Sequence, residues 1–190
     1  SPTTAAHCVW LEDEDFDILK RHGVTVACCP ASNLKLASGY ANVPKMLESG
    51  INVALGTDGA ASNNNLNIMQ DMYLFGVVYK GYFRDPTIIT PAEVLHAATR
   101  AGALSQGRDD SGLLAVGMRA DLCVLNTDTP QFTPMTSAAC NVVYAAQGAD
   151  IRMTMVDGEV LYRDGEFKTI DIEKVKAEVQ RRTDSILSRL

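Results

Sequence analysis

The stretch INVALGTDG, residues 51–59, decides the fold class of this chain. A short and mainly apolar run, Ile51–Leu55, ends abruptly in a Gly-Thr-Asp-Gly turn. A near-continuous apolar strand, rather than one of alternating polarity, is typical of a parallel sheet with both faces covered. An amphipathic helix is predicted next, over Leu66–Lys80, so the local unit is a strand followed by a helix.

The same unit occurs twice more on the N-terminal side of this stretch. Thr3–Val9 is an apolar run followed by a predicted helix over Asp13–Arg21, and Val24–Cys29 is followed by one over Val43–Ser49. Short connections between strand, helix and strand predict a parallel sheet with right-handed crossovers. An open doubly wound sheet and a segment of a βα-barrel both agree with this pattern.

The pattern of strands followed by helices ends at about residue 106. Thr90, Pro91 and Glu93 first form a capping box that starts a helix running to about Arg100. A polar joint over residues 107–112 then leads into an antiparallel β region, with Asp157-Gly158 as a type I′ hairpin signal. Its predicted strands are Leu113–Val116, Ala120–Leu125, Met153–Val156 and Glu159–Arg163, and a charged helix over Glu173–Leu190 closes the chain.

Composition excludes several classes of protein. Lys plus Arg is 17 and Asp plus Glu is 23, for a net charge of −6, and this acidic balance argues against a nucleic-acid-binding surface. The longest uncharged run, Thr129–Ala149, contains prolines and amides that disfavour a membrane span. No signal peptide is visible. The odd number of cysteines, five, mostly in apolar segments, favours a reducing cytoplasm.

Polar residues follow each of the three apolar runs. The first run contains His7, the second is followed by Pro-Ala-Ser-Asn-Leu-Lys over residues 30–35, and the third is followed by residues 56–64. In parallel βα architectures, functional residues gather at the carboxyl ends of the strands. We therefore expect these three segments to meet at one rim.

Asp58 and His7 are the candidate catalytic residues, and each has a structural alternative. Asp58 could bind a metal or accept a proton at the tip of its strand, or it could simply be a turn residue that caps the next helix. His7 could be functional or a hydrogen-bonded core histidine. The remaining histidines, His22 and His96, are predicted to be structural.

Other chemistries have little support in the sequence. A thiol nucleophile at Cys28 or Cys29 would need a neighbouring base or a helix N-terminus, and the local sequence supplies neither. The chain has no CxxC pair, which excludes a zinc finger. It also has no GxGxxG or GxxxxGK[ST] motif.

Three runs of sequence together resemble the amidohydrolase superfamily. They are HCV at residues 7–9, CPASNLKLASG at residues 29–39 and GTDGAASNN at residues 56–64. AATRAGAL at residues 97–104 and GMRADL at residues 117–122 are also similar to this superfamily. The resemblance is to its metal-dependent deaminase and chlorohydrolase branch, most of all to 5-methylthioadenosine/S-adenosylhomocysteine deaminases, and it covers nearly the whole chain.

This resemblance implies an α/β fold built from the C-terminal part of a (β/α)₈ TIM-type barrel. The three apolar runs would be barrel strands 6, 7 and 8. Residues 1–110 would then belong to the barrel, 111–170 to part of a small β-sandwich, and 171–190 to a C-terminal helix.

The resemblance also implies roles for individual residues. Asp58 would bind the metal and act as base toward the attacking water, and His7 would contact the substrate or the attacking hydroxide. The loops containing Ser32 and Asn33, and Ser62, Asn63 and Asn64, would line the substrate rim. The substrate would be purine-like and the metal divalent, with zinc expected.

The family's other metal-site residues do not occur in this chain. There is no His-x-His like the one after strand 1, and no counterpart of the His and Glu of strand 5. A catalytic zinc usually takes three protein ligands, so the chain is expected to be the C-terminal portion of a longer enzyme, inactive alone and without a tightly bound metal. The missing N-terminal portion would be its partner, and exposed sheet edges would favour a homo-oligomer.

Two alternatives to a deaminase stay open. A chlorohydrolase or another cyclic-amidine hydrolase of the same superfamily would differ in its leaving group. A catalytically incompetent fragment or interaction module would use no chemistry at all.

Overall fold

A computed structural model describes residues 2–190. The chain forms two compact units: residues 2–118 together with Thr127–Asp150, and Arg119–Asn126 together with Ile151–Leu190. In chain order the first unit contains β1 (Thr4–Ala6), α1 (Asp13–Arg21), β2 (Thr25–Cys28), α2 (Pro30–Lys35), α3 (Val43–Glu48), β3 (Val53–Leu55), α4 (Ala60–Asn63), α5 (Ile68–Phe83), α6 (Pro91–Ala98), α7 (Arg100–Ser105) and, after residue 126, α8 (Ala138–Tyr144).

The predicted parallel sheet is confirmed. Its described strands lie in the order β1-β2-β3, and both pairings are parallel. Ala6 pairs with Ala27, and Cys28 pairs with Leu55. β2 is the central strand, and its side chains Val26 and Cys28 are fully buried, as expected for a strand covered on both faces.

The core of this unit lies between the sheet and its helices. The helices α3, α5, α6 and α7 all contact β3. Phe75 and Tyr79 of α5 are buried and pack edge to face, with ring centroids 5.7 Å apart. Such aromatic pairs add to the stabilisation that their burial provides, so this pair helps to hold α5 against the core.

Helix starts were the most accurate sequence predictions. α1 has the predicted bounds, and the capping box of α6 is confirmed: Thr90 Oγ1 accepts from the Glu93 backbone N–H at 3.3 Å, while the Thr90 N–H donates to Glu93 Oε2 at 2.6 Å. The helix then ends at Ala98, because Thr99 adopts φ −129° and ψ −86°, and α7 begins separately at Arg100.

The strand predicted over Leu113–Val116 is wrong, because the segment is an irregular loop. Gly112 enters it with φ +84°, and a side chain there would meet the Arg100 Cα at 2.8 Å. Arg100 Nη1 donates to the carbonyl oxygens of Asp109 and Ser111. The backbone therefore turns against α7 instead of extending into a strand.

The helix α8 was not predicted from the sequence. Its uncharged sequence contains no strong periodicity, and its packing depends on a glycine far away in the chain. A Cβ on Gly76 of α5 would approach Tyr144 Cε1 to 3.0 Å and Val143 Cγ1 to 3.3 Å. Gly76 thus permits a close approach of α8 that local sequence cannot reveal.

The second unit is an antiparallel sheet followed by a helix. Its strands, in the order β4-β5-β6-β7, are Leu122–Leu125, Ile151–Val156, Glu159–Arg163 and Glu166–Phe167, and α9 spans Ile172–Leu187. Asp157 and Gly158 have φ of 53° and 81°, which confirms the hairpin that their sequence predicted. The short strand β7 was not predicted.

No helix among residues 2–190 is both long and apolar enough to cross a membrane.

Candidate active site

The carboxyl ends of the three parallel strands bring His7 and Asp58 together. The His7 N–H continues the ladder to the Ala27 carbonyl at 2.9 Å, and the Gly56 N–H does the same to the Cys28 carbonyl at 2.9 Å. His7 Nε2 consequently lies 3.9 Å from Asp58 Oδ2. Parallel pairing has joined two residues that are 51 positions apart in the chain.

Both residues have left-handed backbone conformations. His7 has φ 65° and Asp58 has φ 59°. Non-glycine residues are uncommon in this region, and such strain concentrates at functional sites.

Asp58 is surrounded by hydrogen-bond donors. Its Oδ2 accepts from Ser32 Oγ at 2.7 Å and from Ser62 Oγ at 2.7 Å, and its Oδ1 accepts from the Gly59 N–H at 2.7 Å. The two serine bonds, followed by the Gly59 bond and the nearby His7, lower the pKa of Asp58 to about 2. Asp58 is therefore an anion at neutral pH.

The three bonds leave Asp58 one direction free. A carboxylate offers about four lone-pair sites, two on each oxygen. Two donors meet Oδ2 and one meets Oδ1, so one site on Oδ1 stays available for a metal ion or a proton. The side chain is 31% exposed, which gives a ligand access to it.

Asn33 orients the His7 ring. His7 Nδ1 lies 2.8 Å from Asn33 Oδ1, and because a carbonyl oxygen only accepts, Nδ1 must carry the proton. In the neutral ring Nε2 is then the unprotonated nitrogen, and it is the one that faces Asp58. Fixing the tautomer through the second nitrogen is how proteins prepare a histidine for catalysis or for a metal.

The polar residues predicted to line the substrate rim take distinct places. Ser32 and Ser62 donate to Asp58, and Asn33 bonds to His7. Ser32 and Asn33 lie in the first turn of α2 and are almost fully buried. Asn63 is also buried, and its amide donates to the Thr57 carbonyl at 2.8 Å and to Asp71 at 3.0 Å. These side chains hold the pair in place.

Lys35 connects the loop after β2 to the loop after β3 at the outer rim of the site. It donates to the Ala61 carbonyl at 3.2 Å and to the Asn64 side chain. Asn64 ends α4 in a left-handed conformation, with φ 66°. The loop after β2 and the loop after β3 are thus joined on their exposed side as well.

A cavity of about 380 Å³ opens in front of His7 and Asp58. Trp10, which lines it, is 87% exposed. The apolar lining residues were not predicted from the sequence, although they lie in the segments that follow two strand ends. The cavity is lined by polar His7, Ser32, Ser38 and Asp58 and by apolar Val9, Trp10 and Leu36.

Asp58 and His7 have the chemistry of two ligands in a larger metal site. One offers an ionised carboxylate with a free lone pair, and the other offers the imidazole nitrogen Nε2. Within residues 2–190, however, no three His, Cys, Asp or Glu side chains cluster so that they could hold a metal ion. Since catalytic zinc takes three protein ligands, these residues do not complete such a site.

Cys28 and Cys29 are expected to resist alkylation. Burial raises the pKa of Cys28 to about 12 and that of Cys29 to about 11, whereas reactive thiols have a lowered pKa. Mass spectrometry after iodoacetamide treatment at pH 8 should find both unmodified, while the exposed Cys123 and Cys140 are labelled. Rapid labelling of Cys29 would contradict this expectation and support Cys29 as a thiol nucleophile.

Removing either serine hydroxyl is expected to raise the pKa of Asp58 above its value of about 2. The donors stabilise the carboxylate, so Ser32→Ala or Ser62→Ala favours the protonated form. Carboxyl ¹³C NMR across a pH titration of the zinc-free protein measures this change. Ser38→Ala is the control, because Ser38 lines the same cavity; an equal shift in all three variants would contradict the assignment.

Comparison with known proteins identifies the family to which this chain belongs. Residues 2–161 match the amidohydrolase family. The 5'-deoxyadenosine deaminase of Methanosarcina mazei is 42% identical over 186 residues, covering 98% of this chain and 43% of the relative. The 5-methylthioadenosine/S-adenosylhomocysteine deaminase of Acetivibrio thermocellus is 45% identical over 187 residues, again covering 98% and 43%.

A solved structure agrees with these relatives. A zinc-bound adenosine deaminase from Xanthomonas campestris superposes with a TM-score of 0.94 at 30% identity, covering 97% of this chain and 42% of that chain. This chain spans about 43% of the length of the curated relatives it matches. Since the family match runs from the first strand through the hairpin of the second unit, the chain belongs to the amidohydrolase family.

Proposed function

We propose that this chain is the C-terminal portion of a metal-dependent aminohydrolase that deaminates an adenosine derivative such as S-adenosylhomocysteine or 5-methylthioadenosine. The observation that carries the proposal is the pairing of an ionised Asp58 with an oriented His7, 3.9 Å apart at the strand ends. The two deaminase relatives, at 42% and 45% identity, support the substrate class.

Asp58 would help to hold the metal and would accept a proton from the attacking water. When bound, a divalent metal lowers the pKa of a water molecule to about 7. A carboxyl group with a pKa of about 2 holds a proton only weakly, so Asp58 passes it on toward the departing amine. The one free site on Oδ1 would bind the metal, so the proton would be accepted at Oδ2, where a serine hydroxyl would give up its hydrogen bond.

His7 contacts the substrate or the attacking oxygen through Nε2. Its ring cannot rotate freely, because Nδ1 is bonded to Asn33. The cavity beside it combines polar groups with Val9, Trp10 and Leu36, which suits a purine ring with polar edges and apolar faces. Zinc is the metal we propose, and the ligands absent from this chain come from the N-terminal portion of the enzyme.

The proposal includes an assignment of the fold. β1, β2 and β3 correspond to barrel strands 6, 7 and 8, residues 1–110 to the barrel, 111–170 to part of a β-sandwich, and 171–190 to the closing helix. Both edge strands of the described sheet, β1 and β3, need partners, which other barrel strands or a second copy would supply. The five free thiols suit a reducing, cytoplasmic compartment.

Product analysis separates the deaminase from its alternatives. The chain is combined with the N-terminal portion of its enzyme, loaded with zinc, and offered 5-methylthioadenosine, S-adenosylhomocysteine, 5'-deoxyadenosine and a chlorinated triazine. Ammonia released in equal amount to the deaminated nucleoside supports the proposal. Chloride release from the triazine alone would favour a chlorohydrolase, and no turnover of any of them would favour a non-catalytic chain.

A further inference from the structure

Asp71 is a buried carboxylate to which the proposed chemistry gives no role. It lies in the first turn of α5, and 0% of its surface is exposed. Burial raises its pKa. Within residues 2–190 no Lys, Arg or His forms an ion pair with it, and its two oxygens bind two different loops instead.

Oδ1 of Asp71 holds the segment that follows β2. It accepts the Ala31 N–H at 3.1 Å, one of the first-turn donors of α2 that has no partner within the helix. Cys29, the N-cap residue, provides no side-chain cap, so Asp71 performs this function from another helix. The next two residues of α2, Ser32 and Asn33, are those that bond Asp58 and His7.

Oδ2 of Asp71 holds the segment that follows β3. It accepts from Asn63 Nδ2 at 3.0 Å, and the same nitrogen donates to the Thr57 carbonyl at 2.8 Å. Thr57 directly precedes Asp58, and Ser62, which precedes Asn63, donates to Asp58. One side chain therefore fixes both loops whose residues define the site.

We propose that Asp71 is a positioning residue that keeps Asp58 and His7 in register by tying the loops after β2 and β3 to α5. This inference rests on the proposed function for its catalytic consequence. A carboxylate buried without a cation is costly, and an apolar residue would pack against the core without that cost. A carboxylate is the only side chain of this size with two acceptor oxygens, one for the Ala31 N–H and one for the Asn63 amide. This explains why an aspartate occupies position 71.

Three variants of the complete enzyme test the proposal. Asp71→Asn keeps the shape but replaces one acceptor by an NH₂ group, which then faces a donor. Asn63→Ala removes the connection of Asp71 to the loop after β3, together with the bond from Asn63 to the Thr57 carbonyl, and leaves the bond from Ala31 to Asp71 in place. Asp150→Asn is the matched control, because Asp150 is also buried and also accepts one backbone N–H, from Gln147 at 2.7 Å, and one amide N–H, from Gln131 at 3.0 Å.

Hydrogen exchange of the zinc-free protein measures loop order without any catalysis. In Asp71→Asn we expect amides in residues 30–35 and 57–64 to exchange at least about 10-fold faster. Asn63→Ala should show this only in residues 57–64, and Asp150→Asn in neither segment. In the zinc-loaded enzyme, kcat should fall about 10- to 100-fold for Asp71→Asn.

Unchanged exchange in both segments of a folded Asp71→Asn protein would overturn the inference, as would equal effects of Asp71→Asn and Asp150→Asn on kcat. If Asp71→Asn does not fold, Asn63→Ala decides: unchanged exchange in residues 57–64 overturns the proposal, and faster exchange there supports it. A wild-type enzyme that releases no ammonia refutes the proposed function alone, since the exchange experiment still decides whether Asp71 ties the loops.

Discussion

Asp58→Asn in the complete enzyme is expected to lower kcat by about 10²- to 10⁴-fold, the range that a positioned proton-transfer group contributes. The substitution removes the negative charge with which the carboxylate would bind a metal and accept a proton. It also disturbs the local hydrogen bonds, because the new NH₂ group must face either the Gly59 N–H or the two serine hydroxyls that now donate to the carboxylate. Steady-state ammonia release, with zinc content measured on the same sample, gives the effect.

Asp85→Asn is a suitable control for this substitution. Asp85 is partly exposed, and its pKa is lowered by hydrogen bonds from the hydroxyl and the backbone N–H of Thr87, but it does not line the cavity. Its replacement should leave kcat unchanged. If Asp58→Asn retained more than about a tenth of the activity, a loss below roughly 1.4 kcal/mol in barrier, Asp58 would have no catalytic role.

The location of the candidate pair at one edge of the sheet was predictable because it depends on strand order alone. Apolar runs identify the strands, and short connections make them parallel, so their carboxyl ends must share an edge. His7 and Asp58 stand at two of these ends. Their separation of 3.9 Å depends in addition on the directions of both side chains, because β2 lies between β1 and β3.

The roles of the surrounding polar residues could not be predicted in this way. Ser32 and Asn33 lie in α2, a helix that Pro30 at its start could have indicated. Whether such side chains face a substrate or a neighbouring residue depends on the helix orientation, which tertiary contacts determine. Asp71 is a further example, because its importance comes from two loops that are distant in the sequence.

The errors in the fold have the same physical origin. Leu113–Val116 is apolar enough for a strand, yet the left-handed turn at Gly112 and the bonds from Arg100 keep it irregular. α8 packs closely against α5 at Gly76, where a Cβ would meet Tyr144 and Val143. In both cases a long-range contact overrides the local preference.

The second large effect is expected at His7, where His7→Asn should lower kcat by about 10²-fold. Asn can still donate to Asn33 Oδ1 from near the Nδ1 position, but it has no atom at the Nε2 position that faces Asp58. His7→Gln reaches toward the Nε2 position with an amide that cannot exchange a proton near neutral pH. It should therefore retain more substrate affinity than His7→Asn while still losing kcat.

Measuring kcat and KM for both His7 variants separates orientation from proton transfer. If Nε2 only contacts the substrate, Gln should restore KM and most of kcat; if it takes part in proton transfer, KM recovers and kcat does not. The controls are His22→Asn and His96→Asn, since neither residue lines the cavity. Equal losses in these controls, or a His7→Asn enzyme with unchanged kcat, would show that His7 is a structural residue whose closeness to Asp58 has no catalytic consequence.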